Sequence, residues 1–330
     1  MTALAALGLV AALGGLAFLG GLLVPLRPLF GLWVPWAAAL TLLAGLSITV
    51  LRWARSPVPF RIPTTCGQQR SLPWIRAARL ENPSSTLGAV GRMALEIGLF
   101  RSLFRNARGR VAEGGRLVLN EEKWLWLAAL GFHWALLVIL VRHLRFFLEP
   151  VPALVSGLAA LDGFFQVGAP VFYASDAVVA GALLFLFARR LWTRQVRHVS
   201  LFADYFVLVL LLAIVGSGLL MRYVVRIDTV AAKQLALGLA TLTPAVPGGV
   251  NPLVFLHLGL VSLLAAFFPF SKLVHMAGAF LSPTRNLANT NRARRHVNPW
   301  NAPVPVHTYE EWEAEFTDKL QAAGLPLDKI

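Results

Sequence analysis

Six apolar runs, each about as long as a bilayer crossing, dominate this chain: residues 3–25, 30–51, 124–147, 171–191, 203–221 and 253–281. A hydrocarbon core about 30 Å thick is spanned by roughly 20 residues of α-helix. Lipid offers the backbone no hydrogen-bond partner, and no run shows the period-two alternation of a barrel strand, so each run is predicted to be a helix. The expected fold is all-α: a polytopic transmembrane bundle of six helices with a cytoplasmic insertion and a cytoplasmic tail. No basic residue precedes the first run and the second follows almost at once, which reads as a retained hairpin rather than a cleaved signal. The chain therefore divides into an N-terminal hairpin (1–51), a basic segment with an amphipathic helix (52–123), a four-helix domain (124–281) and a tail (282–330).

Charge sets the orientation. The net charge of +14 would point to nucleic acid in a soluble protein, but 57% of the residues are hydrophobic and the basic ones cluster between the apolar runs. We therefore expect membrane lipid as a partner and no nucleic acid. Thirteen Lys or Arg residues lie in 52–123, Arg52, Arg55, Arg61, Arg116 and Lys123 among them near its ends. Residues 149–170 carry Glu149 and Asp162 and no basic residue, whereas Arg189, Arg190, Arg194 and Arg197 follow the fourth run. Positive loops stay inside, so the chain is expected to be multi-pass in the cell inner (cytoplasmic) membrane with both termini cytoplasmic.

Two pieces outside the runs look structured. Residues 86–104 mix charge with a helical apolar stripe suited to the lipid interface or to a partner. In the tail, Thr308 and Glu311 form a capping-box pattern ahead of Trp312, Phe316 and Leu320, spaced one turn apart, a stripe expected to dock on a partner. The single cysteine, Cys66, rules out a disulfide framework and any thiolate-built iron-sulfur site within this chain. Iron-sulfur clusters, if used, come from a partner.

Histidine inside a membrane helix is costly and points to function. Four of the seven histidines fall in two runs: His133 and His143 in the third, His257 and His275 in the sixth. The two runs are antiparallel, which pairs His133 with His275 toward the cytoplasm and His143 with His257 toward the other face. Two neutral imidazoles facing each other supply both axial ligands of a haem iron while apolar helices cover the macrocycle. Gly131, Gly216, Gly218 and Gly259 are expected to allow close approach of backbone to a ring. Arg142, Arg145 and Arg222 are placed to snorkel or to pair with propionates, and Arg142, Arg222 and Lys233 are candidates for contact with a quinone. The depths match only approximately, because ten residues separate the first pair along the chain and eighteen the second. That is roughly 15 and 27 Å of helix axis, a difference that tilt or a kink at Pro269 must absorb. Any one of these histidines alone would suit a buried hydrogen-bonded side chain, and a proton-relay transporter is the alternative of a different class. Transport would call for acidic partners near the midplane, whereas Asp176 and Asp204 lie near run ends.

The histidine pattern resembles the membrane cytochrome b, or gamma subunit, of respiratory nitrate reductases. Three further stretches resemble the DsrM family more closely: Thr65–Cys66–Gly67–Gln68–Gln69 with Ser71–Leu72–Pro73–Trp74; Arg92 to Glu96 with Phe100 to Asn106; and Asn298–Pro299–Trp300 with Val306 to Tyr309. The resemblance implies two haem b groups held by His133/His275 and His143/His257, menaquinone as substrate, and an iron-sulfur partner, DsrK, within a DsrMKJOP complex of dissimilatory sulfur metabolism. It implies a quinone-reactive subunit of an oxidoreductase complex. The nitrate reductase subunit lacks the long 52–123 segment, and a heterodisulfide-reductase cytochrome is the near alternative.

Overall fold

The computed structural model describes residues 2–56, 67–111, 113–164, 169–292, 303 and 305–328. Cys66 and the Asn298–Pro299–Trp300 stretch lie outside them. Five helical stretches are long and apolar enough to cross a membrane: Thr2–Leu22, Val24–Ala54, Lys123–Phe146, Phe202–Val225 and Pro252–Phe270. The first is α1; the second enters through a π turn, Leu29–Trp33, and becomes α2, Val34–Ala54. Pro35 has no N–H to offer the preceding turn, and the Val34 N–H reaches back to the Leu29 carbonyl instead.

The insertion is more structured than expected. Helix α3, Thr86–Leu99, is capped by the Ser85 side chain and ends where Phe100 adopts a left-handed conformation, φ 49°. A single turn, α4 (Arg101–Phe104), follows. Then β1 (Ala107–Val111) and β2 (Leu117–Glu121) pair antiparallel, with Gly114 and Gly115 at positive φ in the turn. The all-α expectation therefore holds for the membrane-spanning part, and this hairpin is a correction outside it.

Helix α5, Lys123–His143, continues in a 3-10 turn to Phe146, and α6, Ala153–Asp162, lies in what was expected to be a loop. The predicted fourth run is α7, Ala174–Trp192, followed by the short α8, Arg194–Val199. With Asp176, Arg189 and Arg190, α7 is the most charged of the long helices, and it is not among the five stretches. Helix α9, Phe202–Leu219, passes into a π turn to Val225; α10, Thr229–Ala240, occupies the second expected loop.

The sixth run is corrected. It is not one helix: α11 spans Pro252–Phe267, a 3-10 turn carries Pro269, and Ser271 is extended (φ −118°, ψ 173°). After a second 3-10 turn, α12 begins at His275 and ends at Leu281, followed by the turn α13, Pro283–Asn286. Pro269 removes a backbone donor at the point of the break. In the tail, α14 (Tyr309–Ala322) starts at the predicted capping box: the Glu311 N–H donates to Thr308 Oγ1 at 3.2 Å, and the Thr308 N–H to Glu311 Oε2 at 2.9 Å.

Packing places α5 on α7, α7 on α9, and α9 on α11, while α1 lies against α9 and α11 and α2 against α11. Lipid is as apolar as leucine, so helices associate in it through close packing of small residues. The buried face of α1 is Ala6, Val10, Gly14, Ala17 and Gly21, and a Cβ on Gly259 of α11 would stand 2.5 Å from that of Ala17. Gly131 packs on Val178 of α7. Both glycines therefore serve contacts between helices. The pair α5 and α11 is not among these close contacts, so the two helices face each other with little direct contact.

Candidate functional site: two facing histidine pairs

All four histidines singled out from sequence meet in the expected pairs. The ring centroids of His133 and His275 are 6.1 Å apart, and those of His143 and His257 are 6.4 Å apart. A metal–imidazole bond of about 2.0 Å plus about 1.1 Å from nitrogen to ring centre, taken twice, comes to about 6.2 Å. The pairs differ in attitude. The first is nearly perpendicular, with 81° between the planes, and the second nearly parallel, with 16°.

The break after α11 resolves the depth mismatch. A continuous helix would put His275 about five turns from His257 on one straight axis. The turn at Phe268–Phe270 and the extended Ser271 end that axis and restart the chain, so His275 opens α12 opposite His133. Pro269 seats on α2, where a Cβ on Gly45 would come within 2.6 Å of it.

Each Nδ1 has a partner. His133 Nδ1 lies 2.8 Å from the Ala129 carbonyl, His143 Nδ1 2.7 Å from that of Ile139, and His275 Nδ1 2.8 Å from that of Lys272. A carbonyl can only accept, so Nδ1 carries the proton in these three and Nε2 is left as a lone pair. His257 Nδ1 is 2.9 Å from Ser217 Oγ, and that hydroxyl spends its own proton on the Ile214 carbonyl at 2.9 Å. Ser217 therefore accepts from His257, which fixes the same tautomer. Four imidazoles with Nδ1–H committed and Nε2 free form a ligand set for iron. Among the described residues, no group of three or more metal-binding side chains gathers in one place. Two axial donors per site leave the equatorial positions to a macrocycle, which is the donor chemistry a haem needs.

Surrounding groups divide into those expected and those missed. A Cβ on Gly218 would lie 3.6 Å from the His257 ring, while Gly216 faces open space. The Phe100 and Phe132 rings each stand edge-on to His133, with centroids 4.9 Å away. Ser217 and Phe100 were missed, although a lone serine between Gly216 and Gly218 in an apolar run is a legible signal.

The arginine assignments change. Arg142 neither snorkels nor offers a fork to propionates or a quinone. It is buried, its Nε 3.0 Å from Asp162 and its Nη2 2.5 Å from Asp176, with Ser175 Oγ at 3.1 Å. Tyr223 donates to Asp176 at 2.9 Å, and the guanidinium carbon of Arg142 sits 3.7 Å from the centre of the Tyr173 ring. Buried charge is tolerated because it is paired and hydrogen-bonded. Arg222 donates to the Val171 carbonyl at 2.8 Å, and its guanidinium carbon lies 4.2 Å from the Tyr173 ring centre. Arg145, Arg222 and Lys233 line one cleft of about 380 Å³. Lys233 pairs with Glu149 and belongs to α10 rather than to a loop.

Residues 104–291 match the nitrate reductase gamma subunit family. The chain is 43% identical over 286 residues to the "Hdr-like menaquinol oxidoreductase cytochrome b-like subunit" of Archaeoglobus fulgidus, covering 84% of this chain and 85% of that one. It is 40% identical over 282 residues to the protein of the same name from Archaeoglobus profundus, covering 83% of each. With more than half of its length matched, and with the histidine pairs inside the matched region, this chain belongs to the nitrate reductase gamma subunit family.

Proposed function

We propose that the chain is a dihaem cytochrome b that exchanges electrons between menaquinol or menaquinone and a cytoplasmic iron-sulfur subunit. His133 with His275 hold the inner haem b, and His143 with His257 the outer one. The observation that carries this reading is the pair of facing imidazoles at 6.1 and 6.4 Å, every Nδ1 committed to an acceptor. The names of both relatives, menaquinol oxidoreductase cytochrome b-like subunits, support the substrate. The resemblance to DsrM in residues 65–69 and 71–74, 92–96 and 100–106, and 298–300 and 306–309 supports DsrK as the iron-sulfur partner, within a DsrMKJOP-type complex of dissimilatory sulfur metabolism.

In this reading α7 is the sixth crossing. Its charges lie at its ends: Asp176 is neutralised by Arg142, and Arg189 is paired with Glu122 at 3.0 Å. Six crossings put both termini on the cytoplasmic side of the inner membrane, consistent with the basic loops.

Bound haem supplies reversible one-electron uptake at two depths in the bilayer. The chain's own residues do the rest. The carbonyls of Ala129, Ile139 and Lys272 and the Ser217 hydroxyl fix the ring tautomers, so each Nε2 keeps its lone pair for a metal. Helices α5, α11 and α12 hold the inner and outer pairs at a fixed separation. Arg145 and Arg222, at the outer end, provide positive charge that favours anionic groups there.

The test is an optical spectrum of the purified chain, oxidised and then reduced, with haem quantified per polypeptide. Two b-type haems are expected, falling to one in His143→Ala with loss of quinol-dependent reduction. A colourless protein from haem-replete cells, or two intact haems in that variant, overturns the assignment, and substrate flux in haem-free liposomes replaces it with transport.

A further inference from the structure

Helix α3 presents an unusual outer face. Its charged residues turn inward: Arg92 is buried, and Glu96 is held by Ser102 and by Arg285 at 3.1 Å. Outward it shows Leu87, Val90, Gly91, Ala94 and Ile97, at spacings of three and four residues and without one charge; Leu87 is 82% exposed and Val90 59%. An uncharged stripe of this kind needs an apolar cover.

Where α3 ends identifies the cover. The indole N–H of Trp126 donates to the Leu99 carbonyl at 2.7 Å, and that of Trp134 to the Gly98 carbonyl at 2.9 Å. The C-terminus of α3 is thus pinned to α5 between two tryptophans. Trp126 and Trp134 lie three and eleven residues beyond Lys123, about 5 and 17 Å along the axis. Lys123 and the paired Glu122 mark the polar end of α5, and the run that follows is one of the membrane-spanning stretches. The last turns of α3 therefore lie beside α5 at a level where α5 is already in the bilayer. Next to them the exposed α5 residues Leu127, Trp134 and Leu137 continue the same apolar surface. The chain then climbs back: Phe104 in α4 packs on Trp126, and the Lys123 ammonium sits 3.5 Å from the Phe104 ring centre. A soluble partner covering this face would have to enter lipid.

We propose that α3 is a half-immersed helix of the cytoplasmic leaflet, its Leu87–Val90–Ala94–Ile97 face in the lipid acyl chains, docked on α5 so that Phe100 closes the inner histidine pair from the side. The occupant is a lipid surface. Helix α3 is accordingly part of the membrane domain. This stands independently of haem or quinone.

The experiment places a single cysteine at Val90 or Ile97 in the full chain carrying Cys66→Ser, labels it with bimane, and reconstitutes it in phosphatidylcholine–phosphatidylglycerol vesicles. Quenching by doxyl-labelled lipid is compared with aqueous iodide. Sites at Leu137 and at Glu310 of α14 serve as lipid and water controls. Both α3 sites are expected to follow Leu137, with several-fold stronger quenching by doxyl lipid than the Glu310 site and little by iodide. Quenching of both by iodide as strongly as at Glu310 overturns the proposal. So does iodide quenching abolished only on adding an iron-sulfur partner, which would make the face a protein-docking surface.

Discussion

The His143 ring lies 6.4 Å from that of His257 with the planes only 16° apart, whereas His133 and His275, at nearly the same separation, stand 81° apart. Axial imidazoles in parallel planes split the iron d orbitals that interact with them; perpendicular planes leave those orbitals nearly degenerate. The oxidised protein is expected to show two low-spin electron paramagnetic resonance signals, one rhombic from the outer pair and one strongly axial from the inner. His143→Ala or His257→Ala should remove the rhombic signal alone. Two identical signals would contradict the geometry.

A side chain, Ser217, supports the His257 Nδ1, whereas backbone carbonyls support the other three. Such outer partners orient a ligand and raise its basicity. Ser217→Ala should weaken haem retention at the outer site, on the order of tenfold, and leave the inner one unchanged. Ser217→Thr, which keeps the hydroxyl, should restore it. Titrating haem into apoprotein and following each site's optical band checks both.

Arg142 is paired with two buried carboxylates, Asp162 and Asp176. Removing one side of such a pair leaves charge without a partner in low dielectric. Arg142→Ala should destabilise the protein by about 3–5 kcal/mol. Arg142→Lys should recover only part, because one ammonium cannot reproduce the fork. Thermal unfolding in detergent measures both, and a neutral outcome would mean that water reaches the cluster.

Phe100 combines a left-handed backbone with a ring on His133. Glycine takes that backbone freely, and alanine does not. Phe100→Gly should therefore keep α3 folded, while Phe100→Ala loses about 1 kcal/mol more. Both should perturb the axial signal of the inner pair equally, since both delete the ring. Perturbation by one variant alone would separate the ring from the contact.

Glu81 ties α4 to the segment ahead of α3, 2.5 Å from Arg101 and 2.6 Å from Arg105. Partial burial pushes its carboxyl up, but the Arg101 hydrogen bond and charge, with Arg105 behind them, outweigh that and hold it below the usual 4.5. A lowered carboxyl contributes stability that is fully present above its unfolded value and is lost as the pH falls through its folded one. The tie should persist at neutral pH and loosen only below about pH 4.5. Hydrogen exchange in residues 101–106 should rise there, and Glu81→Gln should raise it at pH 7 as well.

Much of the site could be read from spacing. The pairing of His133 with His275 and of His143 with His257 followed from two antiparallel apolar runs, and the Thr308–Glu311 cap from a local pattern that needs no tertiary context. Arg142 was misread because its partners, Asp162 and Asp176, come from other elements, and a helix pattern records only its own neighbours. At Gly131 and Gly259 the sequence marks a close approach but not which neighbouring helix approaches.

By itself, the sequence determined which stretches must be helices, because lipid leaves the backbone no other way to satisfy its hydrogen bonds, and which four side chains are too costly to bury there without a use. Only the tertiary structure decided the rest. The break at Pro269 and Ser271 brings His275 opposite His133, the Ser217 hydroxyl fixes the His257 tautomer, and the two tryptophans of α5 pin the end of α3 to α5. Each depends on contacts between residues far apart in the chain, whose geometry exists only once the helices have packed.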